Sequence, residues 1–411
     1  MRICFLTQYF YPDIGAPQAR LYELAVRLAQ RGHEMTVLTA MPFYPEGWIK
    51  EGYRGRLRMT ETVNSVRIIR TWLYATKSAR MVRRMTNYLS FAATALLLGV
   101  WGLGRQDILL VESPPLFLGP TGWILAKLCR AKFVFNVSDV WPETAVVLGA
   151  LEAGHPFARM AYWLEKVLYR HSDLVTGTSA GILENINARY PEVPTAVIPN
   201  AVDTRLFRAD ARDPAIRREF GVEEGQVAFV YAGLHGLAQG LEQVVEAART
   251  LKDRRDIRFV MVGDGPKREE LVRMAKGLAN IAFYGPRGKK EMPAILASMD
   301  AALVPLGVEL PGAMPSKSYE AMACGLPLVV ASKADIAAFV AKHGVGYAVD
   351  PGDVAGLTGI IRRLADDGAL RHQVGAQARE VALEFDRDAV AERVAALFEK
   401  LLAGGAPAAA P

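Results

Sequence analysis

The sequence predicts an α/β protein built as two doubly wound units that face each other across a cleft. Three observations lead there. The chain has 411 residues, too many for one hydrophobic core. In both halves, short apolar runs alternate with helix-length stretches. Runs such as Ile108-Leu-Leu-Val111 are apolar throughout, as strands of a parallel sheet covered on both faces require.

In the first half, strands are expected over 2–8, 34–40, 66–70, 107–112, 132–139, 173–179 and 195–200. Helices are expected over 16–31, 78–103, 117–130, 156–171 and 180–190. The second half repeats the pattern, with strands over 227–232, 259–263, 281–284, 301–305, 328–331 and 346–349. Helices lie between them, for example over 241–251, 267–277 and 292–299, and two more, over 370–385 and 388–402, close the chain. The joint falls near Ile198-Pro-Asn-Ala-Val-Asp203. It divides the chain into 1–198, 199–385, a closing helix over 386–402 and a tail over 403–411 of Ala, Gly and Pro that reads as disordered. Ligands of such units sit at the carboxyl ends of the strands.

Composition narrows the class. Hydrophobic residues make up 51% of the chain, which suits a globular body. Cys4, Cys129 and Cys324 are scattered and odd in number, which argues for a reducing compartment and against a disulfide framework. The first apolar run ends at Thr7 and Gln8, too early for a signal peptide. The net charge of +6 is uneven: residues 1–200 carry 22 basic and 15 acidic side chains, residues 201–411 carry 27 and 28. The excess concentrates over 50–84, where Lys50, Lys77 and eight arginines face only Glu51 and Glu61.

The most informative stretch is Pro311-Gly-Ala-Met-Pro-Ser-Lys-Ser-Tyr-Glu-Ala-Met-Ala-Cys-Gly-Leu-Pro-Leu-Val-Val330. It reads as a loop, a helix over 316–324 with Ser316 as N-cap, and a buried strand. Lys317 and Glu320 share one face of the first turns. Free N–H groups ahead of a helix suit a phosphate, and a carboxylate one turn on suits sugar hydroxyls. Together they point to a nucleotide-sugar site.

Several motifs in order then resemble the retaining GT-B glycosyltransferases of family 4, the group-1 type. They are Gln8-Tyr-Phe-Tyr-Pro-Asp-Ile-Gly-Ala16, Leu28-Ala-Gln-Arg-Gly-His-Glu-Met-Thr-Val37, Val197-Ile-Pro-Asn-Ala-Val-Asp203, Val262-Gly-Asp-Gly-Pro266 and the segment from Tyr319 to Val330. Asp139-Val-Trp-Pro-Glu143, Gly236-Leu-Ala-Gln-Gly240 and Pro315-Ser-Lys317 look like the branch that builds surface polysaccharides, including N-acetyl-fucosamine transferases of O-antigen synthesis. The resemblance implies C-terminal helices returning to the first unit. It assigns Glu320 to the ribose hydroxyls, and Gly15, Ala16, His235, Gln239, Gly263, Gly265, Arg287, Ala313, Met314 and Ser316 to the donor side.

The chain departs from that pattern twice. Gly312 stands where the family places a second glutamate, with Glu309 three residues before it. The segment from Ala232 to Gly240 lacks the usual arginine and lysine. Lys317 is then the leading cation for the departing diphosphate; His235 could donate if protonated. Asp139 ends a buried strand and could position or deprotonate the acceptor hydroxyl, with Glu143 beside it; capping the turn before Trp141-Pro142 is the structural alternative. In retaining enzymes of this fold the leaving phosphate itself is a candidate base. The six histidines have no metal-ligand spacing, and Asp386-Arg-Asp388 reads as a helix cap. No metal or other cofactor is expected.

The basic stretch runs into an uncharged run over 88–103, shorter than the ~20 residues of a membrane span. A buried helix is the plain alternative. Cations beside an apolar helix suit a peripheral contact with anionic lipid, and no nucleic-acid fold frames them.

The expectation is a metal-independent hexosyl or N-acetylhexosaminyl transferase, cytoplasmic and peripheral at the inner membrane face. It takes a nucleotide sugar, uridine diphosphate linked, and a lipid-linked or saccharide acceptor. A nucleotide-sugar 2-epimerase of the same fold and an inert binding protein are the alternatives.

Overall fold

The computed structural model describes residues 1–405 except Ile14, Ala79, residues 309–311 and the side chain of Ala16. The chain forms two units. One joins residues 1–199 to the segment after Asp386, and the other comprises residues 200–386.

The strands of the first unit are β1 (Arg2–Thr7), β2 (Glu34–Ala40), β3 (Arg58–Val63), β4 (Val66–Thr71), β5 (Ile108–Ser113), β6 (Lys132–Val137), β7 (Leu174–Gly177) and β8 (Thr195–Val197). Its helices include α1 (Ala16–Gln30), α2 (Met81–Thr94), α3 (Gly119–Cys129), α4 (Glu143–Val147), α5 (Pro156–His171) and α6 (Ala180–Arg189). The sheet order is β3-β4-β2-β1-β5-β6-β7-β8. All pairings are parallel except the β3–β4 hairpin. That hairpin was not expected. β3 alternates exposed and half-buried residues, as an edge strand wetted on one face does. The long helix expected over 78–103 starts later, at Met81, and passes after Thr94 into a wider π-turn over Ala95–Gly99.

Arg70, counted above in the basic stretch, is no part of the surface. It is fully buried, with Nε on Glu61 at 2.5 Å and Nη2 on the Tyr11 carbonyl at 2.6 Å. Arg58 and Arg67 bond the carbonyls of Trp101 and Gly102 at the end of the α2 run, where cations oppose the helix dipole. Lys50 pairs with Asp13. The exposed charge therefore contracts to Lys77, Arg80, Arg83 and Arg84 together with Arg54, Arg56 and Arg58.

The second unit has six strands: β9 (Val227–Ala232), β10 (Ile257–Val262), β11 (Ile281–Tyr284), β12 (Ala301–Pro305), β13 (Leu328–Ala331) and β14 (Gly346–Val349). Its helices are α7 (Pro214–Glu219), α8 (Glu242–Thr250), α9 (Arg268–Met274), α10 (Met292–Ala297), α11 (Ser316–Ala323), α12 (Asp335–His343), α13 (Val354–Asp366) and α14 (Gly368–Glu384). The order β11-β10-β9-β12-β13-β14 is parallel throughout. Phe229, Tyr231 and Phe259 enter one core with α8 and α13. Ala228, Val230 and Val260 enter another with α11 and α14. This two-sided burial is the physical reason for the unbroken apolar runs.

The last helix, α15 (Arg387–Leu402), belongs to the first unit and packs on α1. Arg27 reaches Asp388 at 3.0 Å and Arg387 reaches Glu23 at 3.2 Å. Two segments of the second unit pair near its ends. Val202 N–H donates to the Phe385 carbonyl at 3.0 Å, and the Asp386 carboxylate accepts from the Thr204 hydroxyl at 2.6 Å. Asp386, the residue before α15, thus also tethers the start of the second unit to its end. From residue 406 on, the tail lies outside the described residues.

Candidate functional site

Each sheet reverses direction of winding once, between β1 and β5 in the first and between β9 and β12 in the second. The crevice at such a point is where doubly wound sheets bind ligands.

In the second unit, the loop after β9 is drawn against the loop after β10. Gly233 N–H donates to the Val262 carbonyl at 2.8 Å, His235 N–H to Asp264 at 2.8 Å, and Lys267 N–H to His235 at 2.9 Å. This approach explains Gly263 and Gly265, whose φ values are 142° and 155°. A Cβ on Gly263 would lie 1.8 Å from the Gly233 oxygen, and one on Gly265 2.5 Å from the His235 oxygen. Their first role is to admit this loop.

His235 is fully buried, with its ring 5.8 Å from Tyr231 and 6.0 Å from Phe283. Neither ring nitrogen has a partner among the described residues. Burial lowers its pKa from the ordinary imidazole value; Arg268 and Lys317 push the same way and Asp264 opposes them. His235 is therefore biased towards the neutral form, against the protonated donor considered from sequence.

Lys317 sits in the first turn of α11. Its Nζ lies 3.1 Å from where a Cβ on Gly233 would stand. Although the residue as a whole is exposed, packing around the ammonium lowers its pKa, and Glu320 opposes that shift. Among the described residues it forms no hydrogen bond or ion pair. Ser316 is the first helical residue; Pro315 holds the cap position, and no side chain caps the helix. The expected N-cap role of Ser316 is thus corrected: Pro315 supplies the extended entry, and the first amides are left open. The N–H groups of Ala313 and Met314 have no partner among the described residues. Ser318 Oγ is buried without one, as is Gln239 Oε1, which occupies the space Gly236 leaves open.

Arg268 is a further residue of this site, one that no sequence motif singles out. At the start of α9, it is close enough to His235 to lower the imidazole pKa, and its buried Nε is unpartnered. The signal was its position one turn past the carboxyl end of β10. Arg287 is not gathered with this group. It bonds Glu219 at 2.6 Å and lies over the Phe220 ring. Glu309 falls outside the described residues.

In the first unit, Asp139 follows β6 and accepts from the Thr144 hydroxyl at 2.5 Å. Burial raises its pKa, while Thr144 and the Val140 N–H oppose the rise. Glu143 does not join it: its carboxylate accepts from Asn185 at 3.2 Å, with Arg189 at 3.9 Å. Gly15 precedes α1, and the N–H groups of Gly15 and Ala16 have no partner among the described residues. The polar centre of this edge is Glu112 at the end of β5. It accepts from Arg20 and Asn136, each at 2.5 Å, and from Ser138, and Asn136 in turn accepts from Thr176. No group of three or more His, Cys, Asp or Glu among the described residues could hold a metal ion, and no described helix is long and apolar enough to cross a membrane.

Comparison with known proteins matches residues 15–201 to the glycosyl transferase 4-like domain and residues 212–381 to the glycosyl transferases group 1. Over 378 residues the chain is 28% identical to WcaI of Escherichia coli (strain K12), a glycosyl transferase assigned to colanic acid biosynthesis; 88% of this chain and 92% of that one are covered. It is 23% identical to the N-acetyl-alpha-D-glucosaminyl L-malate synthase of Bacillus anthracis, covering 95% and 94%. Among solved structures, HepE of Anabaena in complex with UDP has the same fold (TM-score 0.71, 20% identity, 97% and 100% covered). So does WaaG, a glycosyltransferase involved in lipopolysaccharide biosynthesis (TM-score 0.68, 18% identity, 98% and 100% covered). With both units matched in sequence and the whole chain matched in fold, the chain belongs to the group-1 glycosyltransferases of the GT-B fold.

Proposed function

We propose that the protein is a retaining glycosyltransferase. It moves a hexosyl or N-acetylhexosaminyl unit from a uridine diphosphate donor to a lipid-linked or saccharide acceptor in surface-polysaccharide synthesis. The carrying observation is the set of donors at the carboxyl edge of the second sheet that have no partner among the described residues: Lys317, Arg268 Nε and the N–H groups of Ala313 and Met314. A departing diphosphate gains negative charge as the anomeric bond breaks, and fixed donors aimed at that charge lower the barrier. Glu320, one turn into α11, takes the ribose hydroxyls. The acceptor oxygen bonds the anomeric carbon as the sugar–phosphate bond breaks, and its proton passes to the leaving diphosphate. Asp139 then has only to orient the acceptor hydroxyl. In this reading the cationic side chains supply the charge that a metal would.

The relatives guide the specifics. HepE has been solved with UDP and with UDP-glucose, which makes uridine diphosphate sugars the first probes. WcaI points to surface polysaccharide. An inner-face membrane location is supported by α2 and its continuation. Val82, Thr86, Leu89, Ala93, Leu97 and Trp101 form an exposed stripe at helical spacing, with Val82 77% and Trp101 71% exposed. Arg80 and Arg83 lie beside it, an arrangement suited to anionic lipid.

A thermal-shift screen against nucleotide sugars, with products read by mass spectrometry, tests the reading. A uridine diphosphate sugar should raise Tm, and transfer should require an acceptor. Epimerised sugar nucleotide formed from donor alone would instead identify an epimerase.

A further inference from the structure

The first unit contains a pocket of about 340 Å³ that no assignment above has used. It is lined from three directions. Tyr9 comes from the loop after β1, Phe43 and Tyr44 from the loop after β2, and Lys77, Arg84 and Tyr88 from the entry to α2 and its first turns. Tyr9 stacks on Phe43 at 5.5 Å and meets Tyr44 edge-on at 5.8 Å, forming an aromatic wall. Behind Arg84, Asn87 is fixed by Gln8 at 2.6 Å and by the Tyr74 carbonyl at 2.7 Å.

The charges in this pocket are of one sign. Its lining holds no carboxylate. Arg84 bonds the Tyr88 hydroxyl at 3.2 Å, and Lys77 lies over the Trp48 ring at 5.8 Å. Among the described residues, neither cation has an acidic partner. Lys50 nearby pairs instead with Asp13 and Glu46. Two cations and an aromatic wall match a ligand with an anionic group next to a sugar ring. Helix α2 adds the lipid: Arg84, Asn87 and Tyr88 line the pocket, while Val82 and Leu89 of the same helix face solvent. An acyl or prenyl chain lying along that stripe would deliver a phosphate to Arg84.

We propose that this pocket is the acceptor subsite, and that it selects a saccharide carried on a lipid through a phosphate or diphosphate. Lys77 and Arg84 take the phosphate, and the Tyr9–Phe43–Tyr44 wall takes the sugar. The role as acceptor site rests on the transferase reading above; the phosphate binding does not.

The test uses the full chain and its Lys77→Gln/Arg84→Gln double variant. Both are sedimented with phosphatidylcholine vesicles containing either a polyprenyl diphosphate or phosphatidylglycerol. Loss of two charge-assisted contacts should weaken binding to the polyprenyl diphosphate vesicles by at least tenfold, with less than about twofold change on phosphatidylglycerol, whose binding falls to the exposed stripe and to Arg80 and Arg83. Equal losses on both vesicles would overturn the proposal, reducing the cations to a lipid-headgroup contact. No loss on either would overturn it as well. Donor binding by thermal shift is the separate arm. If no nucleotide sugar stabilises the wild-type chain, the transferase reading falls, while the vesicle result still decides phosphate selection.

Discussion

At the carboxyl edge of the first sheet, Glu112 receives bonds from Arg20, Asn136 and Ser138, and Asp139 from Thr144. At the same edge of the second sheet, His235 buries two ring nitrogens, Ser318 a hydroxyl and Arg268 an Nε, and among the described residues none of these has a partner and Lys317 has no ion pair. A buried polar group left unsatisfied costs about 1–3 kcal/mol, so a cluster of them calls for an explanation. The first edge is not fully satisfied either, since Gln8 Oε1, Gln18 Oε1 and Arg20 Nη1 are buried there without partners among the described residues, but its central carboxylate is held by its own side chains. The second gathers donors that no carboxylate among the described residues pairs with, as the proposed binding of an anionic donor requires.

The contrast breaks first at Glu112. Glu112→Leu leaves Arg20 buried and unpaired, and should cost about 3–5 kcal/mol in urea unfolding. Adding Arg20→Met should recover most of that loss; a single variant as stable as wild type would mean that the network adds nothing. Lys317→Ala should do the reverse. With no partner to abandon and an ammonium that the fold disfavours, it should leave Tm unchanged or higher, yet kcat should fall about 10²–10³-fold. Retained kcat in the folded variant would sink its assignment to the leaving group.

Gly263→Ala forces a Cβ onto the Gly233 carbonyl and should destabilise by roughly 2–3 kcal/mol, with donor binding lost as the β9 loop shifts. His235→Phe gives the smallest effect. It removes two unpartnered nitrogens between Tyr231 and Phe283, so the free protein should gain about 1 kcal/mol while donor affinity falls.

Its pH signature has a definite sign. Because the imidazole pKa is lowered in the fold, the unfolded chain binds that proton first. Stability should drop as pH falls through the ordinary imidazole range, and His235→Phe should lessen that drop, leaving the shares of His33 and His343, whose pKa values burial also lowers. Asp139 runs the other way. Its raised pKa lets the fold take up a proton first, so stability rises as pH falls towards the ordinary carboxylate value. Asp139→Asn should erase that gain in a Tm-versus-pH series.

Strands buried on both faces were legible from their apolar runs, as over 108–111 and at Ala301–Pro305. Strand β3 was not, since an edge strand such as Arg58–Val63 keeps polar residues that look like loop. Lys317 was legible from its place in a motif. Arg268 was missed because it belongs to none of the motifs, and its meaning comes from His235, which is distant in sequence. The pocket lined by Tyr9, Tyr44 and Arg84 was missed for the same reason: two loops and the entry to α2 with its first turns build it, and no local pattern joins them. Arg70 shows the converse error, a charge counted as surface that the fold buries with Glu61.

The pairing of Val202 with Phe385 and of Thr204 with Asp386 has a consequence for inheritance. Residues 200–386 begin and end side by side, clasped by their own hydrogen bonds, so the segment behaves as a cassette. If the proposed division of labour holds, replacing it with the matching segment of a relative would exchange one donor preference for another at two adjacent splice points, leaving the other unit and its helix α15 as they were. Under that reading donor and acceptor choice can change separately, one half at a time.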